Sequence, residues 1–331
     1  MVLYTIKRIL WIIPILICVV LIVFTICYHM PGDPVEIMLN GDYTQEEYDQ
    51  LQHKLGLDEP FLVQLWNYFV NLITKGSFGY SYSSGRLITD ELGPKIWVSI
   101  KIGLMSCILT TIVSIPIGIV SAVKQNSILD YTTTVVAMFL ASMPAFWIAL
   151  EAIVIFSLKL GWLPASGLDS WKHYILPVLI NALSPLAMIC RMTRSSMLEC
   201  IRQDYVRTAR AKGLKERKVI MGHVLKNALI PVITVVGSQF AMVIGGSVII
   251  ESIFSIPGMG NKMVSAINSR DYNMLLATTI IISSFTMLIM LVIDLCYAFA
   301  DPRIKAEFEK GNKISDKIKA RQDKKAAKEA A

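Results

Sequence analysis

Two features of this sequence could do chemistry or mechanical work. One is a basic segment, DYVRTARAKGLKERKVIMGHVLKNALIP, residues 204–231; the other is a lone carboxylate, Glu151, in the apolar run IALEAIVIF. In the basic segment Asp204 to Ala211 is helix-competent, Gly213 interrupts, and Lys215 to Asn227 resumes helix. Ile220, Met221, Val224 and Leu225 then gather on one side, with Lys215, Lys218 and Lys226 largely elsewhere. Such a segment can lie on anionic lipid, stand in solvent as a loop, or dock into a groove of a partner protein. Covalent chemistry is not indicated. There is no phosphate-cradling G-x-x-x-x-G-K-[ST] loop, no G-x-S-x-G elbow and no H-E-x-x-H pair. His29, His53, His173 and His223 are scattered without metal-ligand spacing, so no catalytic, cofactor or metal site is expected. Energetic work must then draw on an ion gradient or on another chain.

The elements that position these residues are membrane spans. The chain is 331 residues, 54% hydrophobic and 17% charged, with mean hydropathy +0.55; a soluble chain carries about 25% charged residues. A bilayer core needs roughly 20 apolar residues of helix. Six runs answer: Ile9–Tyr28, Ile102–Val123, Tyr131–Leu158, Tyr174–Cys190, Leu229–Ile250 and Asn273–Ile293. The first exceeds a signal peptide's apolar core and no small-residue cleavage site follows it, so it reads as an uncleaved helix. The fold class expected is all-α integral membrane. Its parts are a first span (1–28), a small helical extracytoplasmic segment (29–96), a core of five further spans (97–300) with a loop at 191–228, and a basic tail (301–331).

Charge sets the orientation. Segment 29–96 holds four Lys/Arg against ten Asp/Glu, whereas 191–228 holds ten against three and 301–331 ten against six. The positive-inside rule then puts both termini and the loop in the cytoplasm. The basic balance is topology and not a nucleic-acid footprint. Cys18, Cys27, Cys107, Cys190 and Cys296 lie in or at the ends of spans and Cys200 in the inner loop, so no disulfide framework is implied.

The outer segment is patterned. Thr44 is placed to N-cap a helix with Glu47 three residues on, and Gly56 to end it. In PFLVQLWNYFVNLIT, Leu62, Leu65, Phe69 and Leu72 recur at helical spacing, which predicts a helix packed on the membrane surface by its aromatic face. Glu151 falls in the outer half of a straight third span, about 10 Å before Leu158. A lipid-facing carboxylate there costs roughly 2.5–3.5 kcal/mol. Two readings stand: a residue near the interface, hydrated or bonded to a neighbouring span, or one lining an outward-opening pathway and attracting a cationic group.

RTARAKGLKERKVIMGHVLKNALIP resembles the cytoplasmic loop of ABC-importer permeases, where E-A-A-x-x-x-G marks the helix that couples to the ATPase subunit. Those positions are Arg207, Thr208 and Ala209, with the glycine at Gly213. The first two depart from the general pattern, and DYVRTARAKGL is instead similar to the dipeptide and oligopeptide branch. The general family's proline, 13 residues after the glycine, is Lys226 here, and the proline comes at Pro231, a shift that branch shares. PGDP (31–34), LGLDEP (55–60), GSFGYS (76–81), PAFW (144–147), GWLPASG (161–167), ESIFSIPGMG (251–260), RDY (270–272) and DPRI (301–304) resemble the branch in order.

The resemblance implies a permease working beside a second homologous permease subunit, two ABC ATPases and an extracytoplasmic binding protein, in membrane lipid and without nucleic acid. It implies coupling through Asp204, Tyr205, Arg207, Thr208, Ala209, Lys212, Gly213 and Leu214, with peptides as substrates; nickel, metal chelates and glutathione are the alternatives. Two rival classes are a proton-coupled secondary transporter using Glu151 and Asp294, and a membrane scaffold. The first needs inverted repeats, which six spans without internal similarity do not supply. The second leaves the patterned cytoplasmic loop unexplained.

Overall fold

The computed structural model describes residues 2–300 other than 40 and 42, without the side chains of 2–4, 7, 244–246 and 296–300. The expected tail and DPRI therefore lie outside the described residues. In chain order the helices are α1 (Val2–His29), α2 (Pro34–Leu39), α3 (Gln45–Leu55), α4 (Phe61–Lys75), α5 (Ile88–Val123), α6 (Ile128–Ser142), α7 (Ala145–Ala152), α8 (Ile175–Ile201), α9 (Asp204–Ala211), α10 (Glu216–Lys218), α11 (Leu225–Gly246), α12 (Val248–Ile253), α13 (Met259–Asn268) and α14 (Tyr272–Ala300). Wide π-type turns extend α7 through Ile153–Lys159 and precede α11 over Val219–Val224. Among the described residues the β pairing is one isolated bridge, Tyr80 to Leu87.

Among the described residues five stretches are long and apolar enough to cross a membrane: Arg8–His29, Ile88–Val123, Trp171–Ile201, Glu216–Val243 and Tyr272–Leu295. The unbroken span expected at Tyr131–Leu158 is corrected. It is two legs, Ile128–Ser142 and Ala145–Lys159, bent by 97°. Pro144 causes the break: it has no amide hydrogen to donate, and it pushes Met143 into extended backbone (ψ 131). Other boundaries also moved. Helix α5 begins at Ile88, inside the segment expected to be extracytoplasmic to residue 96, and α8 runs on to Ile201, so the loop expected from 191 starts at 202. The fifth run breaks at Ser247, where α11 gives way to α12.

The centre of the molecule is the seam between α5 and α8. Between Ser99 and Ser121 the buried residues of α5 are Ile102 and, three or four apart, the small residues Ser99, Gly103, Ser106, Thr110, Ser114, Gly118 and Ser121. In lipid there is no hydrophobic drive between helices, so close van der Waals approach and interhelical hydrogen bonds must hold them. A Cβ on Gly118 would lie 2.6 Å from Thr193 Cβ and 2.8 Å from the Cys190 carbonyl. The Ser106 hydroxyl donates to the Val178 carbonyl at 3.2 Å, and Thr110 to Ala182 at 3.3 Å.

One end of the bundle carries the segment after α1. The capping box of α3 forms as expected: Glu47 N–H donates to Thr44 Oγ1 at 3.3 Å, Thr44 N–H donates to Glu47 at 2.9 Å, and Gly56 closes the helix at φ +67°. This capping pulls the Glu47 carboxyl below its ordinary value. The motif RDY clamps the segment to α14. Asp271 is buried and accepts from the Ser81 hydroxyl and from Ser83 Oγ (3.0 Å); the Tyr272 hydroxyl reaches the carbonyls of Met30 (3.3 Å) and Gly32 (3.2 Å). Gly32 gives way to Arg270, whose Cδ would lie 2.6 Å from a Cβ there. The opposite end holds the start of α1 and the end of α14, where Arg8 pairs with Asp294 at 2.8 Å. That pairing engages one of the two carboxylates a proton-coupled carrier would need.

A buried ion pair pins the bent helix to the seam. Asp130, 2% exposed, accepts two bonds from Arg194 (2.6 and 2.8 Å), a third from the Ser121 hydroxyl and a fourth from Asn126 N–H at 3.0 Å. Removing one partner of such a pair costs about 3–5 kcal/mol because the other is left buried and uncompensated. Arg194 is 29% exposed, so Arg194→Ala is expected near the lower bound, about 3 kcal/mol. Arg194→Ala with Asp130→Asn is expected to recover part of that loss. Thermal unfolding of the purified chain in detergent checks both; a single variant as stable as the parent would refute the assignment.

Candidate functional site

The basic segment folds as expected in part: Ile220 and Val224 are buried and Leu225 half-buried, but the helix expected from Lys215 is widened into π turns over Val219–Val224, which leave Met221 53% exposed. Helix α9 turns Val206 and Ala209 inward, 0% and 6% exposed, against Ala122 at the end of α5, Met197 on α8, and Val219, Ile220 and Val224 on the π turns. Its other side is exposed: Asp204, Tyr205, Arg207 and Thr208, followed by Lys212 and Gly213, with Leu214 half-buried. Gly213 has φ +75° and nothing within 4 Å of an added Cβ. It is there for its left-handed backbone, which other residues adopt at a cost of about 1–2 kcal/mol. Proline, fixed near φ −65°, cannot take it. The Arg210 guanidinium closes the turn with two bonds to Glu216, 3.1 and 2.7 Å, and holds the Glu216 carboxyl below its ordinary value.

Six of the eight residues expected to couple thus lie on one short exposed strip; Leu214 packs half-buried against the cluster beneath, and Ala209 points the other way. Its role is seating α9, so a charge there would break the cluster beneath rather than a contact above. The strip is rimmed by Arg202, Lys215, Arg217 and Lys218, all exposed. It holds no nucleophile–base pair, and its chemistry is that of a docking face: one protruding helix on a rigid apolar footing.

Glu151 lies apart from this strip, on α7. The opposite face of α7, Ala149 and Ala152, packs on Leu176, Val178 and Ile180 of α8. Glu151 itself is exposed, beside Trp147, Leu150 and Leu158, and its carboxylate meets no donor within the chain among the described residues. Because the third span is bent, Glu151 is not part-way along a straight rod, as the sequence spacing implies. It stands on a separate leg.

A third carboxylate, Glu251, escaped the sequence reading. It is 0% exposed and accepts from Ser247 Oγ at 2.8 Å, Gly260 N–H at 2.7 Å and Asn261 N–H at 3.2 Å. It therefore caps the start of α13, while Met259 N–H donates to Ser99 Oγ of the seam at 2.8 Å. A Cβ on Gly258 would lie 2.3 Å from Glu251 Oε2, so this glycine leaves room for the carboxylate, and one on Gly260 would lie 2.4 Å from Val248 Cα, so that glycine lets α12 and α13 approach. An acid followed by a Pro-Gly-x-Gly turn was the signal in the sequence. Among the described residues no three His, Cys, Asp or Glu side chains come together as a metal site would require.

Comparison with known proteins places this architecture. The family described as binding-protein-dependent transport system inner membrane component matches residues 114–306, and its N-terminal counterpart residues 1–92. The dipeptide transport system permease protein DppB of Alkalihalophilus pseudofirmus is 39% identical, over 91% of this chain and 99% of that one. The glutathione transport system permease protein GsiC of Escherichia coli is 37% identical, over 91% and 98%. Among solved structures, an inward-facing MetNI methionine ABC transporter chain superposes with a TM-score of 0.53 at 15% identity, covering 63% of this chain and 96% of that one. That likeness extends to the fold alone.

The Arg210–Glu216 closure has a pH signature. Glu216 is lowered in the folded loop, so its contribution is full above the unfolded carboxyl value and is lost as pH falls through the lowered folded value. Glu216→Gln is expected to increase proteolytic nicking between 210 and 218 at neutral pH. Below the folded value, parent and variant are expected to be nicked alike. Equal nicking at neutral pH would show that the bridge does not hold the turn.

Proposed function

From the premise that the chain belongs to the binding-protein-dependent transport system inner membrane component family, we propose that it is one of two permease subunits through which an ATP-driven importer admits short peptides. It is a multi-pass inner membrane protein of an ABC importer, and ATP hydrolysis belongs to separate subunits. In the proposed arrangement a second homologous permease and two ATPases complete the membrane assembly, an extracytoplasmic binding protein delivers the substrate, and both termini face the cytoplasm.

The observation that carries the reading is the seating of α9. Its exposed side, Asp204, Tyr205, Arg207 and Thr208 with Lys212 and Gly213, is offered to an ATPase groove, with Leu214 half-buried at its edge. Its buried side is locked to the inner ends of α5 and α8. Closure of an ATPase dimer then moves α9 and the seam as one body, without slack for the motion to dissipate in. A loop in solvent would need no such footing.

The test separates docking from folding. Thr208→Trp with Arg207→Glu is expected to leave membrane abundance near the parent's and to weaken ATPase association by about tenfold or more, which is 1.4 kcal/mol. Ala209→Asp is expected to lower abundance itself. In the same vesicles a cysteine at the exposed Asp169 is expected to react with an impermeant maleimide only from the outer face. Full ATPase retention and uptake by the double variant, or labelling of position 169 only from the inner face, would overturn the arrangement.

Peptides rather than other cargo are favoured by the relatives and by Glu151. A dipeptide and glutathione share an amide, a free carboxylate and an ammonium group, and Glu151 is an exposed carboxylate without a partner among the described residues. We assign it to the substrate pathway, facing the second permease, where it attracts the ammonium. Glu151→Gln keeps the shape and removes the charge. Uptake of peptides with a free amino terminus is expected to fall several-fold, blocked peptides much less, at unchanged abundance. Equal uptake of both by variant and parent would leave Glu151 a structural residue.

A further inference from the structure

Helix α4 is apolar around more than half its circumference, and the chain uses only part of it. Phe61, Leu65, Tyr68, Phe69 and Leu72 turn toward the rest of the protein, with Leu65 buried. Asn67, Asn71, Thr74 and Lys75 form the polar arc. Between these arcs runs a stripe that nothing in the chain covers: Leu62 is 73% exposed, Trp66 69% and Ile73 78%, with Val63 and Val70 at its edge. Leu62 was expected to share the packed face with Leu65, and it is instead on this one. At 100° per residue Leu62, Ile73, Trp66, Val70 and Val63 follow one another around an arc of about 100°, the width of a core-facing helix stripe.

The depth of this stripe in the membrane follows from its packing on α1. The Phe61 ring lies 5.0 Å from Tyr28 and 5.7 Å from Phe24, and Tyr68 lies 5.9 Å from Phe24. Phe24 is five residues before the end of α1, about 8 Å by helical rise. The first two turns of α4 therefore lie beside the last turn and a half of a span whose own apolar surface faces outward, Ile22 at 60% and Ile26 at 56%. Only 6% of that span's most apolar window is buried. A helix held at this level, presenting Leu, Ile and Trp sideways and Asn and Thr away, matches the pattern of helices that lie in the membrane interface, and Trp is the residue type enriched there.

We propose that α4 is a monotopic anchor: its Leu62–Trp66–Ile73 stripe lies in the headgroup–acyl boundary of the outer leaflet and fixes the height and tilt of the whole segment 30–87 above the pathway. The occupant is lipid, and neither the binding protein nor a second permease. The first two turns of α4 lie at the level of the last turns of α1, and both helices present uncovered apolar surface there, which argues for this. The inference rests on the chain's membrane location and is independent of which substrate it carries.

Photo-crosslinking tests it in the full chain, assembled with its subunits and embedded in native membranes. Benzoylphenylalanine is introduced at Trp66, Ile73 or, as a polar-arc control, Asn71. Positions 66 and 73 are expected to yield lipid adducts on irradiation, and position 71 none. Adducts to another protein from positions 66 and 73, or a lipid yield equal to that at 71, would overturn the proposal. A second measurement covers misassembly of the photo-probe variants. Trp66→Phe keeps an apolar ring and is expected to leave the segment's resistance to external protease unchanged, whereas Trp66→Glu is expected to release it. Protection of both to the parent's level would equally overturn it.

Discussion

The rest of the structure depends on how closely α5 and α8 approach. A membrane interior offers no hydrophobic reward for bringing two apolar helices together, since lipid tails are as apolar as leucine. What remains is contact area, and contact area needs the axes close. Gly118 against Thr193 and the Cys190 carbonyl, with a ladder of Ser and Thr hydroxyls at 99, 106, 110 and 121, supplies it. A helix face built from leucines would hold the pair further apart and leave the Val178 and Ala182 carbonyls without their second donor. The hydroxyls are therefore packing residues first, and their bonds are a consequence of fit.

That seam joins the two ends of the molecule. Ser99, near one end of α5, accepts from Met259 at the start of α13; Ala122, at the other, is in the cluster beneath α9. The two are 23 residues apart, about 35 Å of unbroken helix. Glu251 holds α13 to α12 at one end, and the Asp130–Arg194 pair holds the bent helix to α8 at the other. Both carboxylates are buried and bonded, so each resists local loosening. Any displacement of α9 must consequently travel as movement of the seam or not at all, and a subunit driven from one side of a membrane needs this property.

Much of this was legible in the residues. Thr44, Glu47 and Gly56 bound α3 because capping is local chemistry, and α9 is legible as a helix that Gly213 ends; its inward face, Val206 and Ala209, is not, because only the fold supplies the cluster it packs on. The misses share a cause. Arg191, Arg194 and Glu199 were read as loop because charge was taken to mark the end of a span, yet α8 continues through them and Asp130, distant in sequence, neutralises Arg194. Helix α5 shows no amphipathic signal, since its buried face is small and polar and its exposed face large and apolar, the inverse of a soluble helix. Glu251 was passed over for a related reason: only the fold brings its carboxylate against the amides of α13. The bend at Pro144 could have been read locally, but an unbroken hydropathy run concealed it.

The ordered short motifs gain a physical meaning from these contacts. PGDP, GSFGYS and RDY lie far apart in sequence, and the structure joins them at one clamp: Gly32 under Arg270, Ser81 and Ser83 on Asp271, and Tyr272 on the carbonyls of Met30 and Gly32. GWLPASG meets ESIFSIPGMG through Gly167 N–H on the Phe254 carbonyl at 3.0 Å. Each junction ties a loop to a distant part of the chain. Segment 30–87 is thus held to α14 by buried polar bonds and to α1 by aromatic packing, and these grip it from two sides. Leu65 and Tyr82 are buried in one apolar cluster with Leu275 and Leu276 of α14, so the segment is seated on the bundle by packing as well as by polar bonds, and the exposed side of α4 is what this seating leaves uncovered. Lipid against that side covers it, which is why an apolar stripe is useful there and a polar one would not be.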